Sequence, residues 1–148
     1  MFNRRHFLAG ATLAGLAAPA ILRAEGGIFR EFPFSLGVAA GDPASDGFVI
    51  WTRLAPEPME RHGGMPLANF PVDWEVASDS GFRDVVAKGT ELARPELAHS
   101  VHVEVAGLQP DRPYYYRFTA GGERSLRGRA RTLPAPGAKA DALKFGVA

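Results

Sequence analysis

The 148-residue chain contains no cysteine, which excludes a disulfide framework, a thiolate metal ligand and a Cys nucleophile and leaves the redox compartment unread. Charge is close to balanced. Lys and Arg total 17 against 16 Asp and Glu, a formal net charge of +1, so no global field draws the chain to nucleic acid or to an acidic membrane. No apolar run reaches the roughly 20 residues that cross a bilayer. The nearest stretch is interrupted by Pro19 and bounded by Arg4, Arg5 and Arg23. Beyond it, helical periodicity is also missing. There is no G-x-S-x-G elbow and no Ser or Thr in a setting that implies activation by a base. The glycine-containing stretches "AGGERS" and "RHGGMP" lack the strand, loop and helix context of a phosphate-cradling loop.

What is present falls into two parts. "NRRHFLAGATLAGLAAPAILRA" is Ala/Gly/Leu-rich and has no polar face to lie against a membrane surface. Arg4 and Arg5, followed by Phe7 and Leu8, resemble the twin-arginine export signal, with its weakly hydrophobic core and basic end. Residues 1–24 are therefore expected to be a helical, removable signal read by the twin-arginine export machinery. Cleavage after Ala20 and after Ala24 both fit. The implied location is periplasmic or extracellular, with no stable membrane span after cleavage. At 46% hydrophobic and 22% charged, the whole chain suits one soluble domain plus a tail.

The second part consists of short apolar alternations divided by turn residues. "FSLGVA" predicts a strand with Phe34, Leu36 and Val38 on one side, "VDWEVA" one with Val72, Trp74 and Val76, and "HSVHVEV" one with Val101, Val103 and Val105. "GFVIWTRL" is apolar on both sides, and both Trp51 and Trp74 fall in core phase. "AGDPASDG", "PEPMERHGGMP" and "SDSGF" supply the turns. Short strands at such spacing, with no helices between, predict an all-β fold, an antiparallel sandwich. In "GLQPDRPYYYRF", Leu108, Pro110, Tyr114, Tyr116 and Phe118 follow the pattern with which Ig and fibronectin type III-like sandwiches enter their penultimate strand. Tyr114 is the candidate tyrosine corner, its ring in the core and its hydroxyl on backbone a few residues upstream. "SLRGRARTLP" supplies the last strand, so the sandwich is expected over residues 32–133. Pro134, Pro136 and Gly137 mark a linker over 134–141. "ALKFGVA", within 142–148, alternates as a strand that suits either the preceding sheet or the first element of a following domain.

Candidate chemistry is sparse. "DPASDG" resembles a calcium loop, but Ala44 takes a ligand position, Pro43 stiffens its neighbour and Arg53 stands where the closing Glu belongs, so it reads as a turn. His99 and His102, three apart on a strand, point to opposite sides. His102 and Glu104 share a side but lack a third ligand, and His62 has no partner in its loop. Arg127, Arg129 and Arg131 alternate along one strand near Arg124. Such a stripe either meets an anionic partner or protects a sheet edge, and the second reading is preferred.

Taken together, "FSLGVAAGDPASDGFVIWTRLAP", "VDWEVASDSGFRDVVAKGT", "HSVHVEVAGLQPDRPYYYRF" and "GRARTLP" resemble the N-terminal domain of the alkaline phosphatase D family, the PhoD-like phosphatases. The most specific element is Gly41-Asp42-Pro43 followed by Val49, Trp51, Thr52 and Arg53; Leu108, Pro110, Tyr114 and "GRxRT" support it in the right order. The resemblance implies that a metallophosphatase domain, whose opening strand "LKFGVA" resembles, follows the sandwich. It also implies hydrolysis of phosphate mono- or diesters with iron and calcium. No ligand for those metals is identified within residues 1–148, so no catalytic, cofactor-binding or metal residue is assigned here. The chain is expected to be the non-catalytic leading part of such an enzyme, ending before its metal site. The catalytic domain is the expected partner, docked on the second apolar side of the strand Phe48–Leu54. The rival expectation is a stand-alone exported fibronectin type III-like module that binds peptide or glycan.

Overall fold

A computed structural model describes residues 28–139. The export signal, with Arg4, Arg5, Phe7 and Leu8, and the strand expected within 142–148 lie outside the described residues. Among the described residues, eight strands form two antiparallel sheets. The first holds β1 (Val38–Gly41), β2 (Phe48–Arg53) and β5 (Ser100–Val105) in the order β1-β2-β5. The second holds β3 (Phe70–Ala77), β4 (Val85–Ala93), β6 (Pro113–Ala120), β7 (Glu123–Arg124) and β8 (Gly128–Arg131). Its order is β4-β3-β6-β7, and β8 also pairs with β6. The chain changes sheets between β2 and β3, between β4 and β5, and between β5 and β6, the connectivity of an all-β sandwich of the fibronectin type III kind. Among the described residues there is no α-helix, only 3-10 turns at Arg61–Gly64 and Pro95–Leu97.

The inward rows follow from the pleat. Phe48, Ile50 and Thr52 of β2 and Val101, Val103 and Val105 of β5 are buried. From the facing sheet, Val72 and Val76 of β3 and Tyr114, Tyr116, Phe118 and Ala120 of β6 close over them. Burial pushes the Tyr116 phenol above its ordinary titration range. On two pairs of cross-strand partners an aromatic ring lies over a glycine. Trp74 faces Gly89, where an added Cβ would come within 2.7 Å of the indole, and Tyr116 faces Gly128, where it would come within 2.1 Å of the ring. Glycine at these positions lets the ring lie flat on neighbouring backbone, a known device for seating large aromatics in a sheet.

Several expectations need correction. Phe34 and Leu36 do not belong to a strand. A turn covers 33–36, the Gly37 N–H donates to the Phe34 carbonyl at 2.9 Å, and Gly37 takes φ 77, so pairing begins only at Val38. Phe34 is buried from that turn and Leu36 is exposed. Trp51 is not in core phase: it stands on the outer side of β2 and is 40% exposed. A run of four apolar residues spans both faces of a strand, and only the alternate ones reach the core. The last strand, expected from Ser125, begins only at Gly128 as β8, with the short β7 ahead of it, because Ser125 turns inward. Its Oγ accepts the Phe118 N–H at 2.9 Å in place of a carbonyl and donates to the Leu126 carbonyl at 2.8 Å. Strand β4 carries no clean alternation and is half exposed along its length, which is why periodicity does not reveal it. Contact with the core also begins ahead of Phe32, since Phe29 packs on Phe70 with ring centroids 5.8 Å apart.

These close approaches separate two glycines that look alike in sequence. Gly128→Ala drives a methyl into the Tyr116 ring and is expected to cost about 2–3 kcal/mol. Gly41→Ala meets open space and is expected to change stability by less than about 1 kcal/mol. Urea unfolding of the two variants measures the difference, and equal losses refute the packing account.

Candidate functional site

The sequence-derived candidates do not converge on a catalytic centre. Among the described residues, no group of three or more His, Cys, Asp or Glu side chains is placed to hold a metal ion. His99 is buried in the turn before β5, not on the strand. It has φ 57, and its Nε2–H donates to the Ala68 carbonyl at 3.1 Å. His102 lies exposed on β5 and His62 sits in the 3-10 turn. The 42–47 segment is a turn, closed by the Ala44 N–H on the Gly47 carbonyl at 2.8 Å. Gly41 ends β1 opposite Val49, Asp42 follows at φ 46, and Pro43 leads into the turn.

The motif residues that follow are tethers. Thr52, fully buried, donates from Oγ1 to the Gly37 carbonyl at 2.9 Å, and Arg53 donates from Nε to the Ala98 carbonyl at 2.9 Å. Each ties a loop to the end of β2. Strands β6 and β8 frame a second set of tethers. Leu108 is buried, Pro110 stands in the crossing loop, and the Gln109 N–H donates to the Tyr114 hydroxyl at 2.9 Å, the geometry of a tyrosine corner. From the far side Thr132, 1% exposed, accepts the Arg112 N–H at 3.1 Å and donates to the Gln109 carbonyl at 2.7 Å. The "GRxRT" stretch therefore carries two packing roles. Gly128 lies under Tyr116, and Thr132 locks the same loop that Tyr114 holds. Sequence reasoning does not single out Thr132 by itself, although its place as the last residue of that stretch is a usable signal.

The arginine stripe is largely engaged within the chain. Arg131 meets Asp111 at 2.8 Å, and Arg127 donates to the Ser80 carbonyl at 2.9 Å and stands over the Tyr115 ring. Arg129 is exposed on β8, an edge strand that pairs only with β6. Further pairs lie on the same outer face. Arg117 pairs with Glu75 at 2.7 Å and stacks on Phe82, and Thr90 donates to Asp73 at 2.6 Å. In the β3–β4 turn, Asp79 accepts the N–H groups of Gly81, Arg83 and Asp84. Those bonds, that from Asp84 foremost, hold its carboxyl below the ordinary carboxylate range.

The outer face of the first sheet differs. Its central cross-strand row is Ala39, Trp51 and His102, with Gly41, Val49 and Glu104 beside it. The Trp51 indole stacks on the His102 ring, centroids 6.0 Å apart and planes 19° apart. Small residues on β1 leave the indole open from that side, and the aromatic pair is the largest apolar group on this face.

Residues 22–134 match the family described as PhoD-like phosphatase, N-terminal domain. The chain belongs to that family. Over 156 aligned residues it is 51% identical to alkaline phosphatase D of Bacillus subtilis (strain 168), an alignment covering 99% of this chain and 27% of that protein. The solved structure of PhoD is 60% identical and superposes with a TM-score of 0.74 over 76% of this chain and 21% of that one. The sixth fibronectin type III domain of a human protein superposes at 17% identity with a TM-score of 0.44, over 70% of this chain and 88% of its own. The chain thus spans about a quarter of the length of its PhoD relatives. Within this family fold, the residues of the Gly41–Arg53 and Leu108–Tyr114 stretches are placed as turn formers, tethers and core, and Trp51 alone among them is an exposed large hydrophobic residue.

The shared loop makes Tyr114 and Thr132 energetically dependent on one another. Tyr114→Phe is expected to cost about 1–2 kcal/mol and Thr132→Val about 1–3 kcal/mol. The double variant is expected to depart from additivity by at least about 0.5 kcal/mol. Chemical denaturation of the four proteins completes the cycle, and strict additivity would show that the two hydroxyls hold independent structures.

Proposed function

We propose that this chain is the N-terminal, non-catalytic module of an exported PhoD-like alkaline phosphatase, and that phosphate mono- or diester hydrolysis is performed by a metallophosphatase domain outside it. The observation that carries this reading is the extent of the match: residues 22–134 correspond to the family's N-terminal domain, and the chain corresponds to 27% of alkaline phosphatase D. The iron and calcium expected for the complete enzyme do not fit the described residues, which bring together no group of three side chains able to ligate them. No catalytic step is therefore derived from these residues. Their contribution is structural: two sheets pinned at the crossing loop, with the Gly41–Arg53 stretch holding the adjoining turns.

Export by the twin-arginine route belongs to the same proposal. Its support is the order Arg4, Arg5, Phe7, Leu8 ahead of a weakly apolar stretch. Among the described residues, no helix is long and apolar enough to cross a membrane. That route carries folded proteins, which suits an enzyme whose metals are loaded before it crosses the membrane. A second reading, a stand-alone exported module for peptide or glycan, is favoured by one observation, the exposed Trp51 stacked on His102.

Purified residues 1–148 are expected to leave p-nitrophenyl phosphate and bis-p-nitrophenyl phosphate unhydrolysed with iron and calcium supplied, while a chain extended through the phosphatase domain hydrolyses at least one of them. Turnover by the short chain that disappears on changing one of its own side chains overturns the reading. Fractionation of producing cells tests export separately. Replacing Arg4 and Arg5 together by Lys is expected to cut the exported protein at least tenfold, and unchanged export rules out the twin-arginine route.

A further inference from the structure

We propose that the outer face of the first sheet, centred on Trp51, is where the phosphatase domain of the same polypeptide docks; this rests on the reading of the chain as the leading module of a PhoD-like phosphatase. The two outer faces of the sandwich are built for different surroundings. That of the second sheet carries three polar pairs made within the chain, Arg117 with Glu75, Asp73 with Thr90 and Arg131 with Asp111, beside the aliphatic Val86 and Leu92. On the first sheet, the central row Ala39–Trp51–His102 carries no ion pair, and the one Arg at its margin, Arg53, is turned onto the Ala98 carbonyl.

An indole left 40% exposed in the middle strand of a three-stranded sheet is poorly placed for solvent and well placed for a partner. Strand β1 flanks it with Ala39 and Gly41, and β5 flanks it with His102 and Glu104. The result is one aromatic knob with a low apolar side and a polar side. Large aromatics in such a setting dominate the energetics of interfaces, surrounded by groups that exclude water.

The occupant follows from the course of the chain and from length. After β8 the Leu133 N–H donates to the Ala44 carbonyl at 2.8 Å, so the chain leaves the sandwich beside the turn that joins β1 to β2. Anything attached there is tethered one strand away from Trp51. A short Pro-containing linker keeps the local concentration of an attached domain high. In alkaline phosphatase D most of the protein lies beyond the part matched here, and domains joined in one chain bury interfaces of about 600–1,500 Å². The nearby apolar face is the one that such a neighbour can cover at the least cost in desolvated charge.

The test uses the full chain, phosphatase domain included, with a specific protease site substituted for residues 135–139. After cleavage the two fragments are expected to co-elute in size exclusion. Trp51→Arg, and independently His102→Glu, are expected to weaken that association at least tenfold, whereas Lys88→Glu on the opposite outer face leaves it unchanged. Circular dichroism of each intact variant confirms that the sandwich is folded. Wild-type fragments that separate, or fragments that stay together in both Trp51 and His102 variants, overturn the docking surface, with hydrolysis by the intact chain leaving the phosphatase reading in place. A dimer of the short chain that Trp51→Arg dissociates overturns it in favour of a second copy, and glycan or peptide binding lost on the same substitution overturns it in favour of a free binding module. An intact chain without hydrolysis removes the reading on which the proposal rests, and the proposal with it.

Discussion

The crossing loop between β5 and β6 is held from both sides by hydroxyl groups, and the sandwich depends on that grip. Tyr114 reaches it from the start of β6 and Thr132 from the end of β8, each bonded to the backbone of residues 109–112. The chain must pass here from one sheet to the other while its backbone groups are leaving regular ladders, the point where unsatisfied donors and acceptors are most costly. Two side chains supply the missing partners and in doing so fix the spacing of the sheets. The large core residues Phe118, Tyr116 and Ile50 can interdigitate only at that spacing.

From this arrangement follows a division between inside and outside that is not symmetrical. Core packing uses one side of each strand. The second sheet carries on its other side polar pairs that join β3 to β6 and to β4, with Val86 and Leu92 exposed near them. The first sheet spends its other side on Val49, Trp51 and small residues of β1. A sandwich whose only task is to stay soluble has no physical use for that asymmetry, since exposed indole surface gains nothing in water.

Much of the fold was legible. The valines of β5 and the Val72/Val76 pair of β3 point inward as their period-2 spacing dictates, and Tyr114 takes up the corner geometry that its place after Leu108 and Pro110 implies. Other features were not, for identifiable reasons. The Phe34-Leu36 alternation is broken by a left-handed Gly37, and backbone conformation at one glycine does not show in hydrophobic spacing. β4 is an edge strand with little to bury, so it carries hardly any pattern. The last strand starts at Gly128 and not at Ser125 because the Ser125 hydroxyl replaces a ladder carbonyl, a choice that only the position of Phe118 on the neighbouring strand makes available.

The sequence by itself determined that this is an all-β chain of paired short strands, which stretches form its core, and which family it resembles, because alternation, turn residues and the Leu-Pro-Tyr spacing are local and survive without neighbours. Only the tertiary structure decided where Trp51 points. Four consecutive apolar residues can bury either alternate set, and register against Ala39 and His102 selects the set with Phe48 and Ile50 for the core, leaving the indole outside. The same holds for Thr132 and Gly128, whose roles come from residues many positions away that pairing brings within hydrogen-bonding or van der Waals distance.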